Sequence, residues 1–141
     1  MPHQPKGNAN SRTLAIVAGA SKELGHAFLQ RLCEHGIPSV GISREKSQKV
    51  LKKAKYLQLD LTNPNAITSA FEKLQLDSYA RILWVHSVGK YKFEADGIVA
   101  ENDKDGDGVD DEVLHSNYST FKHSLQTIMQ LAPKTKINFL V

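Results

Sequence analysis

The sequence predicts an α/β domain whose core is a parallel, doubly wound sheet of five strands with helices on both faces. Three observations favour this fold. Short apolar runs that suit buried strands alternate with helical segments of about 10–15 residues, an order that produces parallel strands joined by right-handed crossovers. The first of these runs, Leu14–Val17, ends in a glycine turn that opens a helix. The length, 141 residues, is that of one domain.

The elements are expected in strict alternation after a polar segment, Met1–Arg12, which is interpreted as a disordered tail. Strands are predicted at Thr13–Ala18, Ser39–Ser43, Lys55–Leu59, Ala80–His86 and Lys136–Val141. Helices are predicted at about Leu24–His35, Glu45–Lys53, Asn65–Leu74 and Glu112–Leu131. The first strand is then central, and the predicted order in the sheet is 3-2-1-4-5.

Residues that start or stop regular structure set these boundaries. Gly36 suits the left-handed position that follows a helix, and Pro38 prevents the helix from continuing. Asp60–Pro64 is expected to turn and to cap the third helix. Pro133 ends the last helix, and Gly89–Asp111 is expected to be a long polar loop.

The turn after the first strand is a candidate phosphate site. Gly19 allows a sharp turn, and Gly25 lets the new helix lie close to the strand. The unpaired amides of the first helical turn then point toward a group above Ser21 and Lys22. A plain turn without a ligand is the alternative interpretation.

The segment Ala18–Gly25 resembles the Thr-Gly-x-x-x-Gly-x-Gly turn of the short-chain dehydrogenase/reductase family. The resemblance covers residues 13–141 and implies a Rossmann-like dinucleotide-binding domain. The family reaction is hydride transfer between a nicotinamide and a carbonyl or alcohol. The residues of the turn expected to bind cofactor are Gly19, Ser21, Lys22, Leu24 and Gly25. Two departures stand out: Ala18 replaces the family threonine, and Glu23 replaces the middle glycine, which places a carboxylate near the pyrophosphate.

The end of the second strand is expected to select the cofactor. In a dinucleotide fold this position meets the adenosine ribose, where an acid suits NAD and a base suits the 2′-phosphate of NADP. The chain offers Ser43 and Arg44 there, and arginine matches a phosphate with two donors. The sequence therefore predicts NADP. Glu45 beside Arg44 keeps NAD as the alternative.

Two further segments take expected roles from the same resemblance. Asp60 and Leu61 match an Asp-(Val/Leu) pair whose aspartate accepts a hydrogen bond from the adenine; Asp60 can equally be the cap of the following helix. His86-Ser87-Val88-Gly89 stands where the family has Asn-Asn-Ala-Gly, so Ser87 and Gly89 are expected near the nicotinamide ribose. His86 can replace the first asparagine as a hydrogen-bonding group.

Asn117 matches an asparagine that bends the corresponding family helix and joins a proton relay. It is the one residue predicted to take part in catalysis. Tyr118 and Lys122 form a literal Tyr-x-x-x-Lys, but they precede the fifth strand, whereas the family motif follows it.

The last strand is an interior-strand pattern, Ile137–Val141, with no following segment to cover it. We expect the chain to be the N-terminal, cofactor-binding part of a longer fold, without the family's serine and Tyr-x-x-x-Lys, or to have this strand covered by a partner such as a second copy. A non-catalytic nucleotide-binding or interaction module of the same fold is the second hypothesis. A calcium-binding module is the third, because Asp103–Asp111 resembles an EF-hand loop, although Leu114 stands where the bidentate glutamate is needed.

Composition excludes several other classes. The formal charge of +3 and the pI of about 9.0 are a mild basic excess without a nucleic-acid motif, so no nucleic-acid partner is expected. The lysines of Lys46–Lys55 have the spacing of a solvated helix face. No apolar run approaches the ~20 residues of a membrane span. Cys33 is the only cysteine, which excludes an internal disulfide and a cysteine-based metal site. A reducing, cytoplasmic setting fits these features.

Overall fold

The structure, a computed structural model, describes residues 12–21, 23–46, 50–87, 92–94, 97–99 and 111–140. Of residues 92–94, 97–99 and 111–117 it describes the backbone alone. The strands are β1 (Thr13–Ala18), β2 (Ser39–Ser43), β3 (Ala54–Gln58), β4 (Arg81–His86), β5 (Lys92–Glu94), β6 (Gly97–Val99) and β7 (Lys136–Leu140). The helices are α1 (Glu23–Glu34), α2 (Pro64–Glu72) and α3 (Asp111–Leu131), with a 3₁₀ turn at Leu76–Ser78.

The main sheet has five parallel strands in the order β3-β2-β1-β4-β7. These are the five strands predicted from the sequence, so the 3-2-1-4-5 order is confirmed. In the central strand, Val17 pairs in parallel with Gly41 of β2 and Val85 of β4. The chain moves from β1 to one side through β2 and β3, and then returns to the other side through β4. The strand order therefore reverses next to β1, where ligands of doubly wound folds bind.

Both faces of the sheet are covered, because alternate residues of each strand point to opposite sides. On one face, Ile16 of β1 and Trp84 of β4 pack with Phe71 of α2 and Ile128 of α3. On the other, Val17 of β1 packs with α1 through Leu29. This is the three-layer α/β/α arrangement that the sequence predicts.

The segment between β2 and β3 corrects one prediction. A helix is expected at Glu45–Lys53, but the described residues 44–46 and 50–53 are not helical. Leu51 donates its amide to the Tyr56 hydroxyl at 2.9 Å and accepts from Ala54, which makes a turn instead. The described part of this lysine-rich segment offers only Leu51 as a partly buried apolar anchor, since Val50 is exposed. A helix needs an apolar face to bury, and the described residues of this segment do not form one.

The segment predicted as a long polar loop, Gly89–Asp111, also differs. It contains an antiparallel hairpin in which β5 pairs with β6, with Phe93 opposite Ile98 and Glu94 opposite Gly97. The acidic residues Asp103–Asp110 lie outside the described residues, and Asp111 opens α3.

The caps of α1 and α2 both lie in the segments predicted from the sequence, but Asp60 is not the capping residue of α2. After α1, Gly36 has φ +73°, and the amides of Gly36 and Ile37 bond to the carbonyls of Cys33 and Leu32, as in a Schellman cap. At α2 the cap is Asn63, whose side chain accepts the Ala66 amide at 3.2 Å. Asp60 lies one turn too early to cap this helix. Cys33 is buried, as expected of a small apolar residue.

Candidate functional site

The carboxyl ends of β1, β2, β3 and β4 are joined by backbone hydrogen bonds into one rigid edge. The Ser87 amide, directly after β4, donates to the Ala18 carbonyl at 2.9 Å. The Leu59 amide, directly after β3, donates to the Ser43 carbonyl at 2.8 Å. Parallel strands bring these ends together although they are up to 69 positions apart in the chain, between Ala18 and Ser87. The residues that follow them therefore have fixed relative positions.

The glycine turn after β1 is fixed by the neighbouring strand. Gly19 has φ +86°, a backbone conformation that favours glycine. The amides of Gly19 and Ala20 both donate to the Ile42 carbonyl of β2, at 2.9 and 3.0 Å. The chain thus leaves β1 sharply and starts α1 above the end of the sheet.

Gly25 explains how closely α1 approaches this turn. A Cβ at position 25 would overlap the carbonyl oxygen of Gly19 and would lie 2.7 Å from its carbonyl carbon. Any side chain would therefore push the first turn of α1 away from the glycine turn. The close approach predicted for Gly25 is present, and it brings the amide-rich N-terminus of α1 against the edge of the sheet.

The first turn of α1 is accessible. Glu23 is its first residue and is exposed, and its negative charge there is favourable for the helix dipole. Leu24 is 63% exposed. Ser21 is half-buried in the turn, and Lys22 lies outside the described residues. An exposed apolar side chain next to helix amides suits a ligand that has both a flat apolar part and an anionic part.

At the end of β2, the side chains of two residues hold the backbone in place. The Ser43 hydroxyl donates to the Glu45 carbonyl at 2.6 Å, and the Gln58 amide side chain donates to the Arg44 carbonyl at 3.2 Å. The Arg44 side chain itself is exposed. Arg44 thus has a fixed backbone and a solvent-accessible guanidinium at the same edge as the glycine turn.

At the end of β3, Asp60 forms a tight local turn. Its Oδ1 accepts the Thr62 amide at 2.9 Å and the Thr62 hydroxyl at 2.7 Å. Leu61, by contrast, is 4% exposed and belongs to the core. Leu61 can therefore reach a ligand at this edge only through its backbone, while the exposed Asp60 can offer its side chain.

At the end of β4, His86 belongs to an aromatic cluster that sequence reasoning missed. Trp84 donates its indole N–H to Nδ1 of His86 at 3.1 Å, and the His86 ring lies edge-on to Phe121 with centroids 5.2 Å apart. Burial lowers the pKa of His86 below 6.5, because the cation loses its hydration. The alternation of side chains in a strand places residues 84 and 86 on one face, and that spacing is the signal available in the sequence.

The remaining predicted residues are only partly described. Asn117 lies within α3, one helical turn before Phe121, and its side chain is outside the described set. Gly89 is also outside it. Among the described residues, no three His, Cys, Asp or Glu side chains are grouped to hold a metal ion. No helix in the described part of the chain is both long and apolar enough to cross a membrane.

Comparison with known proteins identifies the fold. No protein-family model and no curated protein sequence matches the chain. Solved structures do match it. A short-chain dehydrogenase from Burkholderia cenocepacia J2315 in complex with NADP superimposes with a TM-score of 0.68 at 15% identity, over 93% of this chain and 53% of that one.

Two further structures agree with this match. A short-chain dehydrogenase from Bacillus anthracis has a TM-score of 0.68 at 16% identity, over 93% of this chain and 55% of that one. One from Leptospira borgpetersenii with bound NAD+ has a TM-score of 0.61 at 15% identity, over 86% of this chain and 46% of that one. The chain thus has the fold of the short-chain dehydrogenases/reductases, as the resemblance implied, and spans about half the length of these proteins.

Proposed function

We propose that this chain is the N-terminal, cofactor-binding part of a short-chain oxidoreductase that transfers hydride between a nicotinamide and a carbonyl or alcohol. One observation carries the proposal: Gly25 packs α1 directly on the Gly19 carbonyl, at the place beside β1 where the strand order reverses. Solved structures with the same fold contain NADP and NAD+, which supports a nicotinamide dinucleotide as the ligand.

The residues at the carboxyl edge fit such a ligand. The amides at the N-terminus of α1 suit a pyrophosphate, because a helix N-terminus combines free donors with the positive end of the dipole. Exposed Leu24 offers an apolar surface beside them. We assign the adenosine end to Ser43, Arg44 and Asp60, on the β2–β3 side, and the nicotinamide end to Ser87 and Gly89, on the β4 side. The dinucleotide, when bound, supplies the hydride chemistry.

We propose NADP(H) rather than NAD(H) as the cofactor. Arg44 is exposed directly after β2, where the 2′-phosphate of the adenosine ribose is expected in this fold. Its guanidinium can form two charge-assisted hydrogen bonds to that phosphate. Glu23 acts on both cofactors alike, since it lies near the pyrophosphate that they share.

A non-catalytic, nucleotide-binding module is the second candidate function. Glu23 favours it, because an exposed carboxylate on the first turn of α1 opposes a pyrophosphate at that place. As part of the oxidoreductase proposal, Asn117 takes part in a proton relay and the protein works in a reducing, cytoplasmic setting.

A second copy of the chain is a candidate for covering β7, whose Phe139 and Leu140 are half exposed.

The test is calorimetric titration of the chain and its variants with NADP+ and NAD+. Arg44→Ala should weaken NADP+ by roughly 1.5–3 kcal/mol, about tenfold to somewhat over a hundredfold, and leave NAD+ unchanged. Glu23→Gly should tighten both. Arg31→Ala removes an exposed arginine from the last turn of α1, at the opposite edge, and is the matched control.

Three outcomes separate the alternatives. An unchanged preference in Arg44→Ala rejects Arg44 as the selector. Equal binding of both nucleotides by the parent chain rejects NADP specificity but keeps the dinucleotide site. Binding of neither nucleotide by the parent or by Glu23→Gly contradicts the proposed function.

A further inference from the structure

The aromatic cluster around His86 connects four elements of one face of the sheet. Phe71 of α2 lies edge-on to Trp84, with centroids 6.0 Å apart. Trp84 stacks on His86 of the same strand at 6.1 Å, and His86 contacts Phe121 of α3. Phe121 in turn lies 5.4 Å from Phe139 of β7. His86 is the titratable ring of this chain of contacts, and it sits where α3 meets the carboxyl end of β4.

The hydrogen bond from Trp84 requires the His86 imidazole to be neutral and fixes which of its nitrogens carries the proton. The indole N–H is a donor only, so Nδ1 of His86 must carry a lone pair and the proton must be on Nε2. Nε2 is buried and has no hydrogen-bond partner within the described residues. A second proton would turn Nδ1 into a donor facing another donor, and it would place a cation in a site where the described residues offer Nε2 no acceptor.

Among the described side chains that contact His86, none carries a charge that compensates such a cation. The described side chains that bond or stack with His86, Trp84 on β4 and Phe121 on α3, are both neutral. Phe71 on α2 and Phe139 on β7, behind them, are neutral as well. On α3, Tyr118 and Lys122 flank Phe121, but both are exposed, and Lys122 lies 5.9 Å over the Tyr118 ring.

Besides Phe121, the described part of this half of α3 buries little apolar surface. Its buried residues around Phe121 are small and polar: Thr120, Ser124 and Thr127. Ser124 and Thr127 donate their hydroxyls to carbonyls of α3 itself, four residues back. The larger buried anchor, Ile128, lies two turns further along. The contacts of Phe121 with His86 and Phe139 are therefore the aromatic contacts that hold the described part of this half of α3 to the sheet, and segments with few buried apolar contacts open locally at low cost.

We propose that His86 is an acid-sensitive latch: the neutral imidazole closes α3 on the carboxyl end of β4, and protonation releases α3 there. The latch borders the candidate ligand edge, because Ser87 follows His86 directly. Acid therefore opens this edge before it unfolds the sheet. The inference does not depend on which ligand binds, or on whether one does.

The chain itself carries the reporter for the test. Trp84 is the only tryptophan, and its indole N–H is bonded to the titrating ring. Tryptophan emission of the full chain is followed from pH 8 to pH 4. We expect a reversible transition with a midpoint below 6.5, which His86→Phe abolishes. His35→Gln, at an exposed histidine after α1, is the matched control and should leave the transition unchanged.

Hydrogen exchange shows where the opening occurs. On the acid side of the emission transition, the amides around Phe121 should exchange at least about tenfold faster, while those of Val17 in β1 stay protected. His86→Asn, a smaller change, replaces His86→Phe if that variant does not fold. A transition that persists without His86, a midpoint at or above 6.5, or equal loss of protection in β1 and α3 overturns the proposal.

Discussion

The two ends of α1 lie at opposite edges of the same sheet, and different kinds of contact hold them in place. At the amino edge, the helix ends in a Schellman cap formed by Gly36 and Ile37 within one turn of chain. At the carboxyl edge, the helix starts where Gly25 contacts Gly19, and the Gly19 amide is tied to Ile42 on the next strand. The first end is a local structure. The second is an assembly of separate segments, and it is the end that forms the candidate site.

This difference predicts unequal costs for the same substitution at the two ends. Gly25→Ala should be the most damaging, about 3 kcal/mol or more of unfolding free energy, because the new Cβ meets backbone that cannot move alone. Urea denaturation measures the loss. Ala27→Gly, at an exposed position of α1, is the control for helix propensity and should cost about 1 kcal/mol.

Gly25→Ala should also abolish dinucleotide binding even under conditions where the variant remains folded, since α1 must move away from the turn. If Gly25→Ala lowered the free energy of unfolding by less than Ala27→Gly does, that result would contradict the close packing at the carboxyl edge.

Gly36→Ala should cost about 1–2 kcal/mol, less than Gly25→Ala. No atom lies within 4 Å of the Cβ that it adds, so the cost is only that of placing alanine at φ +73°. Gly36→Asn should lose less than Gly36→Ala, because asparagine tolerates this conformation better. Nucleotide binding should be unchanged in both variants. Any weakening of binding would show that the two edges are coupled.

Asn63→Ala gives the smallest of the three effects and tests a local cap at the carboxyl edge. Removing the side chain that accepts the Ala66 amide should cost about 1 kcal/mol, measured by thermal or urea unfolding. Asn63→Asp keeps the acceptor and should be close to neutral. If Asp60→Ala is the more destabilising change, the helix depends on the Asp60 turn rather than on Asn63.

Much of the fold could be predicted because strands and caps depend on nearby residues. The five strands of the main sheet follow apolar runs such as Leu14–Val17, and their ends differ from the prediction by one residue at most. The glycines at 19 and 36 adopt the positive φ that the sequence leads one to expect. One prediction is wrong because a sequence pattern that favours a helix is not stabilised by packing against the rest of the fold. The segment Glu45–Lys53 has helical spacing, but its described residues offer little apolar surface to bury.

The candidate site could be predicted only in part, for a related reason. Gly19, Ser43, Arg44, Asp60 and Ser87 all lie at or just after the carboxyl ends of strands, so sheet topology alone brings them to one edge. Their separate environments do not follow from topology. Leu61 is in the core beside the exposed Asp60, and Leu24 is exposed beside the buried Gly25. Each outcome depends on which helix covers that side of the chain.

The class of the fold, the order of its main elements and the cap at Gly36 follow from the residue types within a turn or a strand, and the amino-acid sequence therefore predicts them. The distance between α1 and the glycine turn and the surroundings of His86 depend instead on contacts that form when the chain folds. Gly25 meets Gly19 six residues away, and His86 meets Phe121 thirty-five residues away. A burial that shifts a pKa, or a contact that excludes a Cβ, is set by atoms that meet only after the chain has folded.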